Sequence, residues 1–358
     1  MANIDLNPTV SLADLRHIIP AIGETNTVLV VSTPGQAKTS MLNTFKEDLG
    51  KRFAAYVYLD AANLDVGDIS SRIPVHAEKK MMQYVTDLVP FDKGPVMVMI
   101  DEIGKAPRIM QPMLTRLLLE RYVGDMALPA GSIVWATSNN ASDGVGDIFP
   151  AHTLNRVTVV TLRNATNKEW AVWASNNGVH PMLRTWAVLN PRAFAHYAQG
   201  GQDDNVMIFN PRRPAQPFVS LRSLTKCDSI VRNKGTIGDT ATYALLSGTV
   251  GQAAAKSIMT LFEVNNDVVD CADIFKDPDG CKIPESPAAI YMMLFNAVDA
   301  IETQAEMTAF MKYIKRMNSR EVTGVLYTQL TENKRTAKIA NNNGEINEWL
   351  QANYKVLV

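Results

Sequence analysis

The chain has 358 residues, 46% hydrophobic and 20% charged, with 35 Lys+Arg against 36 Asp+Glu and a formal net charge of -1. An apolar fraction of this size excludes a disordered chain as the default, and the length predicts two or three structural units at roughly 150 residues per domain. The charge balance excludes the bulk electrostatic footprint of a dedicated nucleic-acid or anionic-membrane binder, though not a local patch.

Near the start, Ser11 reads as the N-cap of a helix, with Asp14 three positions on and Leu15, Ile18 and Ile19 on its apolar face. From there to about residue 162, short β-rich runs alternate with helical stretches, the runs being 27–31, 54–59, 96–100, 133–138 and 157–162. Five such runs separated by helices predict a parallel sheet covered on both faces, because parallel neighbours need crossover connections. After Lys38, residues Met41, Leu42, Phe45 and Leu49 recur at helical spacing, and Gly50 is placed to close that helix in a left-handed conformation. Over 108–121, Met110, Met113, Leu114, Leu117 and Leu118 form one helical face, and Pro112 requires that it lie in the first turn.

Beyond residue 165 the β-rich runs stop. Segments 168–177 and 183–197 read as helical, with turn signals at Asn177-Gly178 and Asn190-Pro191, and 200–217, with Gly200-Gly201 and three prolines, reads as a long surface loop or mobile insertion. Helical patterns resume at Ser220, and Asp277-Pro278-Asp279-Gly280 followed by Pro284 and Pro287 marks the entry to a further helical segment. The predicted organisation is an α/β core over 1–165, a helical domain over 166–262 containing the 200–217 loop, and a helical C-terminal segment over 263–358.

The purely apolar runs, such as Val96-Met97-Val98-Met99-Ile100, fall far short of the roughly 20 residues that span a bilayer, so no membrane is expected. The start of the chain carries Asp5 and Asp14 with no basic-then-apolar pattern and reads as lacking a secretory signal. Cys227, Cys271 and Cys281 have no CxxC spacing, which fits a reducing compartment, and the five scattered histidines predict no metal site of their own.

Two constellations carry chemistry. The first is Ser32-Thr33-Pro34-Gly35-Gln36-Ala37-Lys38-Thr39, between a predicted strand and a predicted helix, which is the place and length of a phosphate-binding loop of ideal form G-x-x-x-x-G-K-[ST]. In such a loop backbone amides face the phosphates, the lysine reaches the β/γ oxygens and the hydroxyl ligates magnesium. Both outer glycines are replaced, by Ser32 and Ala37, so the loop alone is also compatible with a Pro-Gly turn ahead of a helix that starts with Lys-Thr. The second is the strand ending in Asp101-Glu102, which puts two carboxylates at the edge of an α/β sheet where ligands bind. An aspartate there can hold hydrated magnesium and a glutamate can polarise water. The strand 133–138 ends in Asn139-Asn140, whose amides are turn formers or can orient a water.

Taken together, these segments resemble the MoxR-like branch of the AAA+ ATPases, especially variants often encoded by phages. Pro34-Gly35-x-x-Lys38-Thr39 is similar to Walker A, residues 97–102 to Walker B, and Ala136-Thr137-Ser138-Asn139 to sensor 1. Leu154-Asn155-Arg156-Val157 resembles the family's leucine-aspartate-arginine-phenylalanine segment, and Ser220-Leu221-Arg222-Ser223-Leu224 its serine-proline-arginine sensor 2. Glu120-Arg121-Tyr122-Val123-Gly124 and Leu128-Pro129-Ala130-Gly131 resemble a hairpin typical of this branch.

The resemblance implies a P-loop NTPase core of AAA+ type with a five-stranded parallel sheet, followed by a helical lid and a helical C-terminal segment. It implies that Pro34, Gly35, Gln36, Ala37, Lys38, Thr39 and Ser40 cradle ATP or ADP, and that Thr39 and Asp101 hold Mg2+. Glu102 would activate water, Asn139 act as sensor 1, Arg156 serve as a finger in a neighbouring subunit's site, and Arg222 reach the γ-phosphate from the lid. A finger in trans implies a ring, by family a hexamer, acting on a protein client, with a von Willebrand A domain protein as an expected partner and a bacterial cytoplasmic setting. Two alternatives stay open: a nucleotide-gated assembly protein with little hydrolysis, motivated by the degenerate loop, and a nucleic-acid motor, for which only the small clusters Arg212-Arg213 and 184–192 speak.

Overall fold

A computed structural model describes residues 8–69, 71–76, 81–86, 88–139, 155–264, 267–317 and 319–357. The chain divides into two compact units, 1–164 and 165–358.

The first unit is built on a parallel sheet. Its strands are β1 (Thr9–Val10), β2 (Val28–Ser32), β3 (Ala55–Asp60), β6 (Val96–Asp101), β9 (Ile133–Asn139) and β10 (Thr158–Leu162), in the order β1-β10-β2-β9-β6-β3. Every neighbouring pair runs parallel. The five runs read from sequence are all present. The sheet has six strands rather than five, because the two-residue β1 adds to the edge through Thr9 opposite Thr161 and Val10 opposite Leu162. A strand that short carries no periodicity to read.

Alternation along the strands divides the core in two. Leu29, Val98, Ile100, Val134 and Ala136 point to one face and pack with Leu114, Leu117 and Leu118 of helix α4 (Gln111–Glu120). Val28, Val30, Met97, Met99, Ile133 and Trp135 point to the other and pack with helices α1 (Leu12–Ile22) and α2 (Met41–Leu49) through Leu15, Ile19, Leu42 and Phe45. This is the period-2 geometry of a strand buried on both sides, and β6 and β9 are buried at every position. Phe45 meets Trp135 edge to face at 5.8 Å between ring centroids. Pro112 lies in the first turn of α4, where no intrahelical amide bond is lost. Ser11 caps α1 in a capping box with Asp14.

Two hairpins complete the unit. β7 (Tyr122–Val123) and β8 (Met126–Ala127) form the hairpin read from sequence, while β4 (Ser71–His76) and β5 (Met81–Val85) pair antiparallel in a stretch that gave no strand signal.

Helices and turns make up the described residues of the second unit. Helices α5 (Asn167–Asn176) and α6 (Pro181–Leu189) share a core with the C-terminal helices α12 (Pro287–Ala300), α13 (Gln304–Lys315) and α14 (Arg320–Glu332), through Ala171, Val188, Phe295, Phe310 and Leu326. Helix α6 stops at Leu189 because Pro191 drives Asn190 out of the helical region. The 200–217 loop has no helix or strand; it is held by the Asn205 Nδ2 bond to the Arg192 carbonyl (2.8 Å), the buried Ile208 side chain and the Phe209–Phe218 ring contact. Among the described residues, no helix is long and apolar enough to cross a membrane.

One ion pair anchors this unit. Arg184 of α6 is fully buried, and its guanidinium donates to both carboxylate oxygens of Asp299 and to Ser175 Oγ (2.9 Å) beneath the Phe295 ring. Burial pulls the Arg184 pKa down, and Asp299 opposes that shift. Removing one partner leaves an uncompensated buried charge. Asp299→Ala is therefore expected to cost about 3 kcal/mol, read from the urea transition followed by tryptophan fluorescence. A loss below about 0.5 kcal/mol, within the range of ordinary surface substitutions, would mean that the guanidinium is satisfied by other means.

Candidate functional site

The carboxyl ends of β2, β9, β6 and β3 line up at one sheet edge, with Ser32 opposite Asn139 and Asp60 opposite Asp101. Residues 33–40 cross this edge before α2 begins. The helix starts at Met41, so Lys38 and Thr39 lie in the turns before it rather than at its first positions.

Lys38 is buried, and its Nζ donates to Ser32 Oγ (2.9 Å), the Ser32 carbonyl (3.2 Å), the Thr33 carbonyl (3.3 Å) and Asn139 Oδ1 (3.0 Å). Ser32, which stands where the ideal loop has glycine, is thus an anchor for the lysine. Gly35 has φ +80° and Ala37 φ +59°. Position 37 therefore keeps the left-handed backbone that glycine would supply, with a Cβ that disfavours it.

Asp101 ends β6 with 6% of its surface exposed. Its carboxylate accepts three hydroxyls: Thr39 Oγ1 (2.7 Å) and Tyr58 OH (3.0 Å) on Oδ2, and Thr137 Oγ1 on Oδ1. Thr137 Oγ1 also accepts the Glu102 amide at 3.1 Å. Glu102 sits in a left-handed conformation, φ +50° and ψ +43°. Its Oε1 accepts from Asn139 Nδ2 (3.3 Å), and its Oε2 pairs with Lys105 on the following turn. Asn139 thus bridges Lys38 and Glu102, its carbonyl oxygen facing the cation and its amide nitrogen the carboxylate. Partial desolvation of its hydroxyl end, reinforced by the Asp101 charge and hydrogen bond, pushes the Tyr58 phenol well above its ordinary pKa although the side chain as a whole is exposed.

The site thus gathers Lys38, Thr39, Asp101, Glu102 and Asn139, with Pro34, Gly35, Gln36, Ala37 and Ser40 on the connecting loop. Arg156 is exposed in the turn before β10, and Arg222 is exposed in the second unit, at the second position of helix α7 (Leu221–Arg232), which Ser220 caps. Among the described residues neither guanidinium has a hydrogen-bond or ion-pair partner. Leu154 and Asn140 lie outside the described residues. Sequence reasoning missed Tyr58, and it quoted Thr137 without a role. A hydroxyl near the end of an otherwise apolar strand is the signal for Tyr58, but its partner depends on the β3–β6 register.

The donor set tells which ion fits. Among the described residues, no group of three His, Cys, Asp or Glu could hold a metal. One buried carboxylate beside a threonine hydroxyl is an all-oxygen set that suits Mg2+, an ion that takes one or two carboxylates and completes its shell with water and phosphate oxygens. Thr39 and Asp101 fit it.

No protein-family model matches the sequence, nor does any curated protein. Among solved structures, the chain is similar to the RuvB Holliday junction branch migration motor of Thermotoga maritima, at 15% identity over 74% of each chain with a TM-score of 0.36. It is also similar to NtrX from Brucella abortus in complex with ADP, at 12% identity over 98% of this chain and 70% of that one, with a TM-score of 0.39. The fold class is α/β, a unit built on a six-stranded parallel sheet followed in the chain by a unit whose described residues are helices and connecting segments.

The strained loop position is open to test. Left-handed backbone costs an L-residue about 1–2 kcal/mol, and glycine returns about 0.4–1 kcal/mol of that through the entropy of the unfolded chain. Ala37→Gly is expected to raise stability to urea by a net of about 0 to 1.6 kcal/mol; a loss of about 1 kcal/mol would show that Ala37 is not strained.

Proposed function

We propose that this chain binds ATP with Mg2+ and hydrolyses it, as a MoxR-like AAA+ ring protein that remodels or assembles a protein partner. The observation that carries the reading is the convergence of Lys38, Thr39, Asp101, Glu102 and Asn139 on one sheet edge beside a loop with two left-handed residues. Lys38 already meets a cluster of oxygen acceptors, and phosphate oxygens would replace neutral acceptors with charged ones, which form the stronger bonds. Thr39 and Asp101 would hold Mg2+, which when bound neutralises charge on the phosphates. Pro34, Gly35, Gln36, Ala37 and Ser40 would shape the phosphate cradle.

Glu102 is the general base in this reading. Each of its oxygens has one partner, and a carboxylate offers about four acceptor sites, so capacity remains to take a proton from water. Asn139 holds Oε1 and would report the state of the phosphates to Glu102. Arg156, exposed and without a partner in its own chain among the described residues, is free to act on a neighbouring copy; by resemblance the ring is a hexamer. Arg222 sits in the first turn of a helix, where the macrodipole opposes a cation by about 0.3–1 kcal/mol, so helix stability does not account for it and a role toward the γ-phosphate does. A von Willebrand A domain protein in a bacterial cytoplasm, in the manner of phage-encoded variants, is the partner the resemblance favours.

A second reading, nucleotide-gated assembly with little hydrolysis, is favoured by two observations: the non-glycine residue at φ +59° and the Lys105 ion pair on Glu102. Nucleic-acid motor action is disfavoured, because Arg184 is buried while Arg192 and Arg212 pair with Asp204 and Asp203.

Glu102→Gln is expected to keep ATP binding while lowering turnover by at least about 100-fold, the lower end of what a general base contributes. Turnover in the wild type no higher than in Lys38→Ala, with nucleotide still bound, would select the assembly reading. Arg156→Ala is expected to lower turnover about 1,000-fold or more. Mixing Arg156→Ala with Glu102→Gln subunits should then restore activity, since one supplies an intact base and the other an intact finger. Failure of the mixture to exceed either variant alone would remove the finger role.

A further inference from the structure

We propose that Tyr58 is a positioning residue for divalent-cation binding: from the neighbouring strand its hydroxyl holds the Oδ2 oxygen of Asp101 in place for the metal. The inference rests on the reading of Thr39 and Asp101 as the cation site and deepens it. Three observations carry it. Tyr58 OH and Thr39 Oγ1 donate to the same oxygen of Asp101, at 3.0 and 2.7 Å. The other oxygen is held by Thr137 from the opposite side of β6 in the sheet. Tyr58 is 45% exposed, so its ring is not kept in place by core packing, and the Asp101 bond is the polar contact that orients its tip.

These bonds differ in what happens when a cation binds. A threonine hydroxyl has one O–H donor and two lone pairs, so Thr39 can offer a lone pair to the ion and still donate to Oδ2, but its orientation then answers to the ion as well as to the carboxylate. Tyr58 and Thr137 approach from the two strands that flank β6, β3 and β9, and can go on donating to Asp101 while Thr39 is engaged. They keep the carboxylate from rotating about its terminal bond, and outer partners of this kind set the orientation of a ligand. The phenol makes a charge-assisted bond to the carboxylate, stronger than a neutral pair.

The test separates cation binding from nucleotide binding and from folding. Full-length wild type, Tyr58→Phe, Asp101→Asn and the double variant are titrated with a fluorescent ADP analogue in EDTA, then with Mn2+ in the presence of saturating ADP, followed by paramagnetic resonance of the free ion. Tyr58→Phe is expected to leave the affinity for ADP in EDTA unchanged and to weaken Mn2+ binding about 10-fold, the lower end of the loss for an outer-shell partner. In the Asp101→Asn background the same substitution should change Mn2+ binding less than about 2-fold, since the position acts through that carboxylate. Equal Mn2+ affinity in wild type and Tyr58→Phe would overturn the inference while leaving the nucleotide reading intact. Parallel loss of both affinities would also overturn it, marking Tyr58 as merely structural. Absence of ADP binding by the wild type would overturn the reading beneath it and the inference with it.

Discussion

The Asp101 carboxylate is the constraint on which the first unit depends. It ends a strand buried at every position and is itself 6% exposed, so water cannot solvate it and the protein must. Burying a carboxylate without partners costs far more than any single packing contact returns. The three hydroxyls that meet this need come from three separate places: the loop after β2, the strand β3 and the strand β9. Each is in reach only if the loop crosses at the right height and both neighbouring strands hold their register with β6. Satisfying one buried charge therefore ties together the elements that form the site.

The loop obeys the same logic with different residues. Its lysine would be an unpaired buried cation if the loop opened, and Ser32 answers this by offering both its hydroxyl and its carbonyl. Replacing the first glycine of the ideal motif thus adds an acceptor where the lysine folds back. Ala37 has no such compensation, since its φ of +59° is the conformation the motif demands and its methyl group only disfavours it. The two departures from the ideal loop are therefore unequal: one is integrated into the hydrogen bonding and the other is tolerated.

Much of the sheet was legible because buried parallel strands are continuous apolar runs, and the ends of those runs are where polar residues begin. Asp101, Glu102 and Asn139 were found that way, with the Lys-Thr pair marking the loop. What escaped detection depends on pairing between distant segments. The hydroxyl of Tyr58 faces Asp101 only because Asp60 sits opposite Asp101 in the ladder, and a one-residue slip would have turned it to the other face. The two-residue β1 is too short to have a period. Arg184 was counted within a small basic cluster, yet its partner Asp299 lies 115 residues away and takes it out of the surface altogether. One-dimensional charge clusters record neither burial nor distant partners.

That last point changes what the near-zero net charge means. The small arginine clusters that could have tracked a phosphate backbone are largely engaged within the second unit: Arg184 is buried, Arg192 faces Asp204 and Arg212 faces Asp203, while Arg213 is exposed. Exposed pairs of this kind add little stability, but each sets a carboxylate against a cation and so weakens the local positive field on which phosphate binding draws. Arg156 and Arg222 are exposed in separate units, one in a turn and one against a helix dipole. A single exposed arginine is cheap to keep and proves nothing alone. Arg222, however, is placed where the backbone field opposes it, and under the proposed function its partner would be an anion from outside its own helix. The proposed nucleotide phosphate would suit such a lone cation better than a diffuse polyanion would, because one guanidinium can pair with one phosphate in a bidentate manner without any surrounding basic surface.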